Sequence, residues 1–203
     1  MKPMTATSWP EDAREPTWDV ALLFPAQGTW SEDDYLTLNS NRLVEFSDGS
    51  LEVLPMPTTS HQRIVAQLFQ LLFAFAITRR LGTVLFAPLR VRLWSGKFRE
   101  PDVVFMSAEH ADRMGEPFWD GADLVMEVVS DDDRRRDLET KRLEYASAGI
   151  PEYWIVDPQE SRITVLRLER GAYVVHSVFA VGEIAMSSLL PGFVANVMDV
   201  FSL

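Results

Sequence analysis

The sequence predicts one soluble domain of α/β or α+β class. Its 203 residues favour a single domain over two. Short apolar runs bounded by turn residues alternate with two longer segments of helical periodicity, which is typical of a sheet with helices packed on it. A hydrophobic content of 47% with 24% charged residues is ordinary for a globular protein that buries its own core.

Composition and segment length exclude several classes of protein. Without cysteine, the chain can form neither disulfides nor a thiolate metal site, which fits the reducing cytoplasm that we expect as its location. The N-terminus has no apolar signal-peptide core, and the most apolar run, residues 68–77, is too short to cross a bilayer. We therefore expect no membrane association, a flexible tail at residues 1–17 and one domain at residues 18–203.

The helices are predicted from caps and apolar periodicity. Ser31 and the acidic residues after it predict a short helix that ends near Leu38. The longest helix is predicted over residues 58–80, where apolar residues repeat at helical spacing and Gly82 terminates the segment. The other predicted helices cover residues 107–113 and 134–148.

The strands are predicted from extended apolar runs and turn signals. Asp48-Gly49 predicts a hairpin of residues 42–46 and 51–54. Residues 124–129 are apolar on both sides of Glu127, which indicates a central strand covered on both faces. Further strands are predicted at residues 83–87, 89–93, 102–106, 153–156, 162–168 and 172–179, and a short helix or strand at residues 195–203.

Two carboxylates in apolar strands are the firmest candidates for a functional site. The same-face neighbours of Glu127, Val125 and Val129, are apolar. A buried carboxylate is costly unless it binds a cation or is paired, so a functional role is favoured over exposure to solvent. Asp102 opens another strand, although an aspartate after Pro101 could also be a turn residue. Together the two carboxylates could hold a divalent metal ion of the kind that catalyses phosphodiester hydrolysis.

Three further residues are candidates with an ordinary structural alternative. Lys141 shares a predicted helix face with Asp137 and Tyr145, so it could face the carboxylates or form a salt bridge on a solvated helix. Glu45 lies on the first hairpin, where its spacing alone indicates an exposed strand residue. His61, near the start of the longest helix, could cap that helix, contact a phosphate or transfer a proton.

Several familiar catalytic and binding motifs are absent from the sequence. The three histidines have no zinc-type spacing, so a histidine metal centre is not expected. The chain contains no G-x-S-x-G, no Walker loop and no G-x-G-x-x-G. Esterase, NTPase and dinucleotide-binding functions therefore lack support, and no nucleotide cofactor is expected.

Charge is unevenly distributed along the chain. The net charge of −11 by itself argues against nucleic-acid binding. Residues 53–99 nevertheless contain no acid and seven cations: Arg63, Arg79, Arg80, Arg90, Arg92, Lys97 and Arg99. These could form a cationic face for a DNA backbone, or they could pair with acids from the rest of the chain. Arg134-Arg135-Arg136, after three aspartates, allows the same two interpretations.

The candidate residues belong to a set of motifs that resembles a known family. The set comprises Glu45 with Asp48-Gly49, His61, Pro101-Asp102, the strand around Glu127, Arg135-Arg136-Asp137, Lys141, Tyr145, Gly149 and residues 152–157. It resembles the Uma-two family of restriction-endonuclease-like proteins, within the PD-(D/E)xK nuclease superfamily, over residues 29–203. Val129 stands where the superfamily has its lysine, and the resemblance implies that Lys141 on the following helix replaces it.

The resemblance implies a fold, a reaction and a partner. The fold would be a restriction-endonuclease-like mixed β-sheet flanked by helices, often in a homodimer. The expected activity is that of a metal-dependent endonuclease that hydrolyses DNA phosphodiester bonds with Mg²⁺ or Mn²⁺. Asp102 and Glu127 would bind the metal, and Lys141, Glu45 and His61 would complete the catalytic set, with Glu45 either completing this metal site or recruiting a second ion.

Two alternatives without catalysis remain open. The chain could be an inactive nuclease-fold module that binds nucleic acid or a protein partner, with carboxylates that hold no metal. It could also be a structural protein that uses its acidic surface. Metal-dependent cleavage of DNA would separate an enzyme from both.

Overall fold

The computed structural model describes residues 24–40, 42–130 and 134–202. The predicted flexible tail, residues 1–17, lies outside these ranges and stays a prediction. The strands are β1 (Val44–Ser47), β2 (Ser50–Val53), β3 (Gly82–Phe86), β4 (Val91–Trp94), β5 (Lys97–Arg99), β6 (Val103–Ser107), β7 (Trp119–Asp120), β8 (Leu124–Val128), β9 (Glu152–Asp157), β10 (Arg162–Glu169), β11 (Ala172–Ala180), β12 (Ile184–Met186) and β13 (Val194–Asn196).

The α-helices are α1 (Glu32–Thr37), α2 (Thr59–Arg79), α3 (Lys141–Ser147) and α4 (Val197–Phe201). Ala108–Arg113 forms a 3-10 helix, and Arg136–Thr140 forms a π-helical turn that leads directly into α3. Strands and helices thus alternate in a mixed α/β domain, as the sequence predicts. Within the described ranges, no helix is both long and apolar enough to cross a membrane.

A six-stranded sheet in the order β11-β10-β9-β8-β6-β3 forms the centre of the molecule. Its neighbours are antiparallel except β8 and β9, which are parallel. Strand β8 is therefore an inner strand, and all five of its residues are buried, as its apolar sequence predicts.

The two faces of β8 pack against different elements. Leu124, Met126 and Val128 lie in the core that contains the buried face of α2. Val125 belongs to the opposite core, which contains Tyr145 of α3 and the residues of β4. Because side chains alternate along a strand, Glu127 points to this second face, towards α3.

A five-stranded sheet in the order β2-β1-β5-β4-β7 packs beside the central sheet. The predicted Asp48-Gly49 hairpin is present, with Ser47 opposite Ser50. Tyr35 of α1 packs on β1 and β5 as part of a small aromatic core. Helix α1 begins after Ser31, as predicted, and Ser31 and Asp34 exchange hydrogen bonds in a capping box.

Helix α2 begins and ends slightly differently from its prediction. Its N-cap is Thr58, whose hydroxyl accepts a hydrogen bond from the backbone N–H of His61 at 3.1 Å. Its C-cap is Arg80 in the left-handed conformation, so Gly82 does not terminate the helix. Gly82 instead begins β3, where any Cβ would overlap the carbonyl oxygen of Met106.

The strands β5, β7 and β12 do not appear among the predicted elements. Each is only two or three residues long, and β5 consists of Lys97-Phe98-Arg99, which has no apolar alternation. Tertiary pairing creates them, because β5 is held between β1 and β4. The predicted helix at residues 134–148 is interrupted by the π-helical turn for which local sequence gives no signal.

Glu152 at the start of β9 anchors a loop to the central sheet. Its buried carboxylate accepts hydrogen bonds from Trp154 Nε1, from the hydroxyls of Ser187 and Ser188, and from the backbone N–H groups of Ser188 and Leu189, at 2.6–2.7 Å. A single carboxylate therefore accepts five hydrogen bonds, among them that of the buried indole of Trp154.

Replacing Glu152 by alanine should lower the free energy of unfolding by at least about 3 kcal/mol, because several buried donors lose their acceptor together. Urea denaturation measures this loss. The control is Glu169→Ala, which removes an exposed ion pair with Arg167 and should change stability by about 0.5 kcal/mol or less. Equal losses in the two variants would contradict the anchoring role.

Candidate active site

A cleft of about 1010 Å³ opens where β6 begins and β8 ends. Four of the five residues that the sequence singles out line this cleft: His61, Asp102, Glu127 and Lys141. They come from four separate parts of the chain, so only the fold brings them together. Glu45 does not line the cleft.

Asp102 lies beside Glu127 on the same face of the central sheet. The antiparallel register pairs Val103 with Met126, and one further step along both strands places Asp102 beside Glu127. The backbone N–H of Val128 donates to Oδ2 of Asp102 at 2.8 Å, which fixes this carboxylate against β8. Oδ1 of Asp102 accepts no hydrogen bond within the described ranges.

The carboxylate of Glu127 is held at both oxygens by α3. Tyr145 Oη donates to Oε1 at 2.5 Å, and Lys141 Nζ lies 2.8 Å from Oε2. Burial raises the pKa of Glu127 to about 7; Lys141 opposes this shift and the nearby carboxylates of Asp102 and Asp137 add to it. Helix α3 thus presents two residues, four positions apart, to one buried carboxylate.

Lys141 is a buried ammonium between two carboxylates. Its Nζ lies 2.9 Å from Oδ1 of Asp137 as well as beside Glu127, and Oδ2 of Asp137 accepts the backbone N–H of Ser130 at 3.1 Å. Burial disfavours the charged ammonium, but attraction by Glu127 and Asp137 outweighs it and raises the pKa of Lys141. The lysine is therefore charged, and the salt bridge on a solvated helix is not what the structure contains.

His61 projects from the first turn of α2 onto the same two strands. Its Nε2 lies 3.3 Å from Oδ2 of Asp102 and 3.2 Å from the carbonyl oxygen of Val128. Because both partners are acceptors, Nε2 carries the proton. Burial lowers the pKa of His61, but the hydrogen bond and charge of Asp102 outweigh it, so the net shift is upward.

Glu45 lies in a buried ion cluster outside the cleft. Its carboxylate pairs with the guanidinium groups of Arg99 and Arg136 and accepts the backbone N–H of Glu100 at 3.1 Å. Burial would raise the pKa of Glu45, but the positive charges around it lower it. The structure therefore does not place Glu45 with Asp102 and Glu127, and a role as metal ligand has no geometric support.

The acid-free segment of residues 53–99 does not form a continuous cationic face. Four of its seven cations make contacts within the fold: Arg90 donates to the carbonyls of Leu36 and Leu38, Arg92 to Asp120, Lys97 to Glu144, and Arg99 to Glu45 and Glu144. Arg79 and Arg80 are exposed at the far end of α2, roughly 27 Å along the helix from His61. Of the two interpretations, pairing with acids therefore holds for Arg92, Lys97 and Arg99, and a single cationic face built from all seven residues is not present.

The three consecutive arginines before α3 are also engaged with acids. Arg134 pairs with Asp157, Arg135 with Glu139, and Arg136 with Glu45 and Glu52. Of these pairs, only that of Arg135 is largely exposed. Pairing therefore accounts for this segment without a phosphate.

The donors in the cleft fit a hard divalent cation better than a transition-metal site. Within the described ranges, no three His, Asp or Glu side chains converge in a preformed metal cluster. Mg²⁺ commonly keeps several waters and uses only one or two carboxylates, so the pair Asp102 and Glu127 suffices in number. Oδ1 of Asp102 is open, and each Glu127 oxygen accepts one contact and retains a further lone pair.

Tyr145 and Asp137 contact the candidate site residues, although the sequence predicts no role for either. They belong to the motifs of the family resemblance and share a predicted helix face with Lys141. The four-residue spacing indicates that the three side chains contact a common neighbour. It does not identify that neighbour, Glu127, because Glu127 lies on a strand that packs against α3 only in the folded protein.

Comparison with solved structures found a chain of similar fold. The chain is similar in fold to a protein from Anabaena variabilis ATCC 29413 that is described as a "putative nuclease belonging to DUF820". The TM-score is 0.71 at 19% sequence identity, and the match covers 85% of this chain and 98% of that one. At this identity, the likeness shows the fold alone. A comparison with curated protein sequences found no significant match.

A comparison with protein-family models identifies the family of this chain. The family model Uma2, described as "Putative restriction endonuclease", matches residues 31–198, and the chain belongs to this family. The resemblance to the Uma-two family that the sequence motifs indicate is therefore confirmed.

Replacing Lys141 by methionine should destabilise the protein, and more strongly at higher pH. Removing one partner of a buried ion pair typically costs about 3–5 kcal/mol. Burial already raises the pKa of Glu127 from 4.5 to about 7, and loss of the ammonium raises it further. The folded variant then keeps a proton that the unfolded chain releases, so stability falls as the pH rises above 4.5 and through 7.

Urea midpoints of wild type and the Lys141→Met variant, measured at about pH 5 and about pH 8, test this pH dependence. The difference between the two proteins should be larger at the higher pH. Arg135→Met removes an exposed cation from the same segment and should show neither effect. A pH-independent difference would mean that Glu127 does not depend on Lys141 for its charge.

Proposed function

We propose that the protein is a metal-dependent endonuclease that hydrolyses DNA phosphodiester bonds in the cleft at the ends of β6 and β8. The observation that carries this proposal is the meeting of Asp102, Glu127 and Lys141 in one cleft from three separate elements. An open carboxylate oxygen beside a buried carboxylate and an ammonium is the set of groups that phosphodiester hydrolysis needs. Membership of the Uma2 family supports the same reaction class.

Asp102 and Glu127 would hold the divalent ion, Mg²⁺ or Mn²⁺. Asp102 would bind through Oδ1, because Val128 and His61 already occupy Oδ2. Glu127 would bind through the free lone pairs of its oxygens while α3 holds it in place. When bound, such an ion would polarise the scissile phosphate and make a nearby water molecule more acidic.

Lys141 would contact the reacting groups with its remaining N–H. An ammonium has three donors, and two of them point to Glu127 and Asp137. The third is available for the attacking water or for a phosphate oxygen, where the positive charge stabilises the negative charge that develops during attack. The lysine thus acts from α3, although its place in the sequence differs from that of the superfamily.

His61 would hold Asp102 in its binding orientation. Its Nε2–H contacts Oδ2 of Asp102 and the carbonyl oxygen of Val128, so it ties the carboxylate to the end of β8. A group in this position also lies close enough to the cleft to pass a proton to the leaving oxygen. The homodimer and the cytoplasmic location that the sequence predicts stay predictions.

Replacing Asp102 by asparagine should abolish metal-dependent cleavage of plasmid DNA. The amide keeps an oxygen for the Val128 N–H but loses the charge that binds the ion, and a loss of about 3 kcal/mol or more corresponds to at least about a 100-fold lower rate. Cleavage is measured by nicking of supercoiled plasmid with Mg²⁺ or Mn²⁺. Asp112→Asn makes the same chemical change at an exposed position outside the cleft and should cleave as wild type does.

Two outcomes of this assay would contradict the proposal. Full activity of Asp102→Asn would exclude Asp102 as a ligand. A wild type that binds DNA but neither cleaves it nor binds Mn²⁺ in calorimetry would favour the alternative, a catalytically inactive nuclease-fold module for nucleic acid or a protein partner.

Arg42 should contribute to DNA binding. It lies exposed at the mouth of the cleft, and no acid within the described ranges pairs with its guanidinium. Arg42→Ala should weaken binding of a DNA duplex and lower the slope of log affinity against log salt by about 1. Arg79→Ala removes an exposed arginine far from the cleft and serves as the control. Equal slopes for wild type and Arg42→Ala would exclude this contact.

A further inference from the structure

A buried cluster of alternating charges joins the first hairpin to the segment that carries Lys141. Its members are Glu45 of β1, Glu52 of β2, Lys97 and Arg99 of β5, Arg136 of the π-helical turn and Glu144 of α3. Three carboxylates and three cations thus meet from five separate elements. Glu52 and Arg136 also line the cleft, so the cluster reaches its wall.

Arg136 is the member of this cluster that belongs to the lysine segment itself. Nη2 of Arg136 pairs with Glu45, and Nη1 pairs with Glu52, so one guanidinium bridges both strands of the hairpin. The backbone carbonyl of Arg136 accepts the N–H of Lys141. The hydrogen bond that closes the π-helical turn therefore joins the anchored residue directly to the lysine.

The geometry of this turn decides where Lys141 points. A π-helical turn holds one residue more than an α-helical turn, and such turns are rare and occur mostly at functional sites. Relaxation to α-helical geometry would rotate every later residue by about 100° around the helix axis. Lys141 and Tyr145 would then leave the two oxygens of Glu127 that they now hold.

We propose that Arg136, held by Glu45 and Glu52, is a positioning residue that keeps the π-helical turn wound and so directs Lys141 to Glu127. Glu45 then acts through Arg136, and not as a ligand of a metal ion. The guanidinium suits this task because its planar fork directs separate N–H groups at two carboxylates in a fixed geometry. The expected effect of Arg136 on cleavage rests on the proposed nuclease function. The expected effect of Arg136 on the position of Lys141 does not.

The test compares Arg136→Ala with the matched control Arg135→Ala. Both remove one arginine from the same segment, but Arg135 makes an exposed pair with Glu139, and its side chain is 84% exposed. Glu52→Gln is the milder variant, since Glu52 is half exposed and its loss removes only one arm of the fork. If Arg136→Ala does not fold, the same measurements on Glu52→Gln test the proposal.

The first readout is the rate of acylation of the Lys141 amine by a soluble ester, followed by mass spectrometry under native conditions. The chain has only three lysines, so each is resolved, and Lys2, which does not belong to the cluster, serves as the internal reference. We expect Lys141 to react faster relative to Lys2 in Arg136→Ala and in Glu52→Gln, by about 10-fold or more in the first. Arg135→Ala should match wild type. This readout does not depend on nuclease activity.

The second readout separates positioning from metal binding. In Arg136→Ala, kcat for plasmid cleavage should fall by about 10- to 100-fold, while KM for DNA and Mn²⁺ affinity in calorimetry change by about threefold or less. Arg136→Lys, which can reach one of the two carboxylates, should restore part of kcat.

The possible results lead to distinct conclusions. An unchanged acylation rate of Lys141 in Arg136→Ala, or an equal increase in Arg135→Ala, would overturn the positioning role. So would a loss of Mn²⁺ affinity as large as that of Asp102→Asn, because Arg136 and Glu45 would then act at the metal site. If wild type cleaves no DNA but Lys141 acylation rises as expected, the nuclease function fails and the positioning of Lys141 by Arg136 stands.

Discussion

The buried pair of Glu127 and Lys141 is the interaction on which the rest of this site depends. A carboxylate in the middle of an inner strand is costly unless it is paired or hydrogen-bonded, and Lys141 pairs with Glu127 at 2.8 Å. The pair obliges α3 to pack on this part of β8, because no other position of the helix would bring both Lys141 and Tyr145 to one carboxylate. Sheet, helix and cleft are therefore fixed relative to one another by one electrostatic requirement.

This dependence extends outward from the pair in two directions. On one side, Asp137 shares the ammonium and accepts the backbone N–H of Ser130, which holds the chain as it leaves β8. On the other side, the charged cluster around Arg136 ties the lysine segment to the first hairpin. Several cations of this acidic chain thus form ion pairs within the fold. Fewer of them are therefore available for a nucleic-acid surface.

Much of the fold and part of the site follow from local sequence, and the differences have physical causes. The capping box of α1, the Asp48-Gly49 hairpin, the long helix and the inner strand β8 all follow from local periodicity and turn chemistry. Strand β5 does not, because its two cations are buried only through partners on other elements. Glu45, whose spacing alone indicates an exposed strand residue, is buried in ion pairs with Arg99 and Arg136, which lie 54 and 91 residues away in the chain.

By itself, the sequence determined the family, the class of fold and the residues Asp102, Glu127, Lys141 and His61, because these depend on residue type, order and periodicity. Only the tertiary structure decided which groups hold them: Tyr145 and Asp137 join the site, and Glu45 turns away from it. It also decided that most cations of residues 53–99 serve the fold. The physical reason is that charge pairing depends on distance in space, and burial makes such pairs strong, while sequence separation carries no information about either.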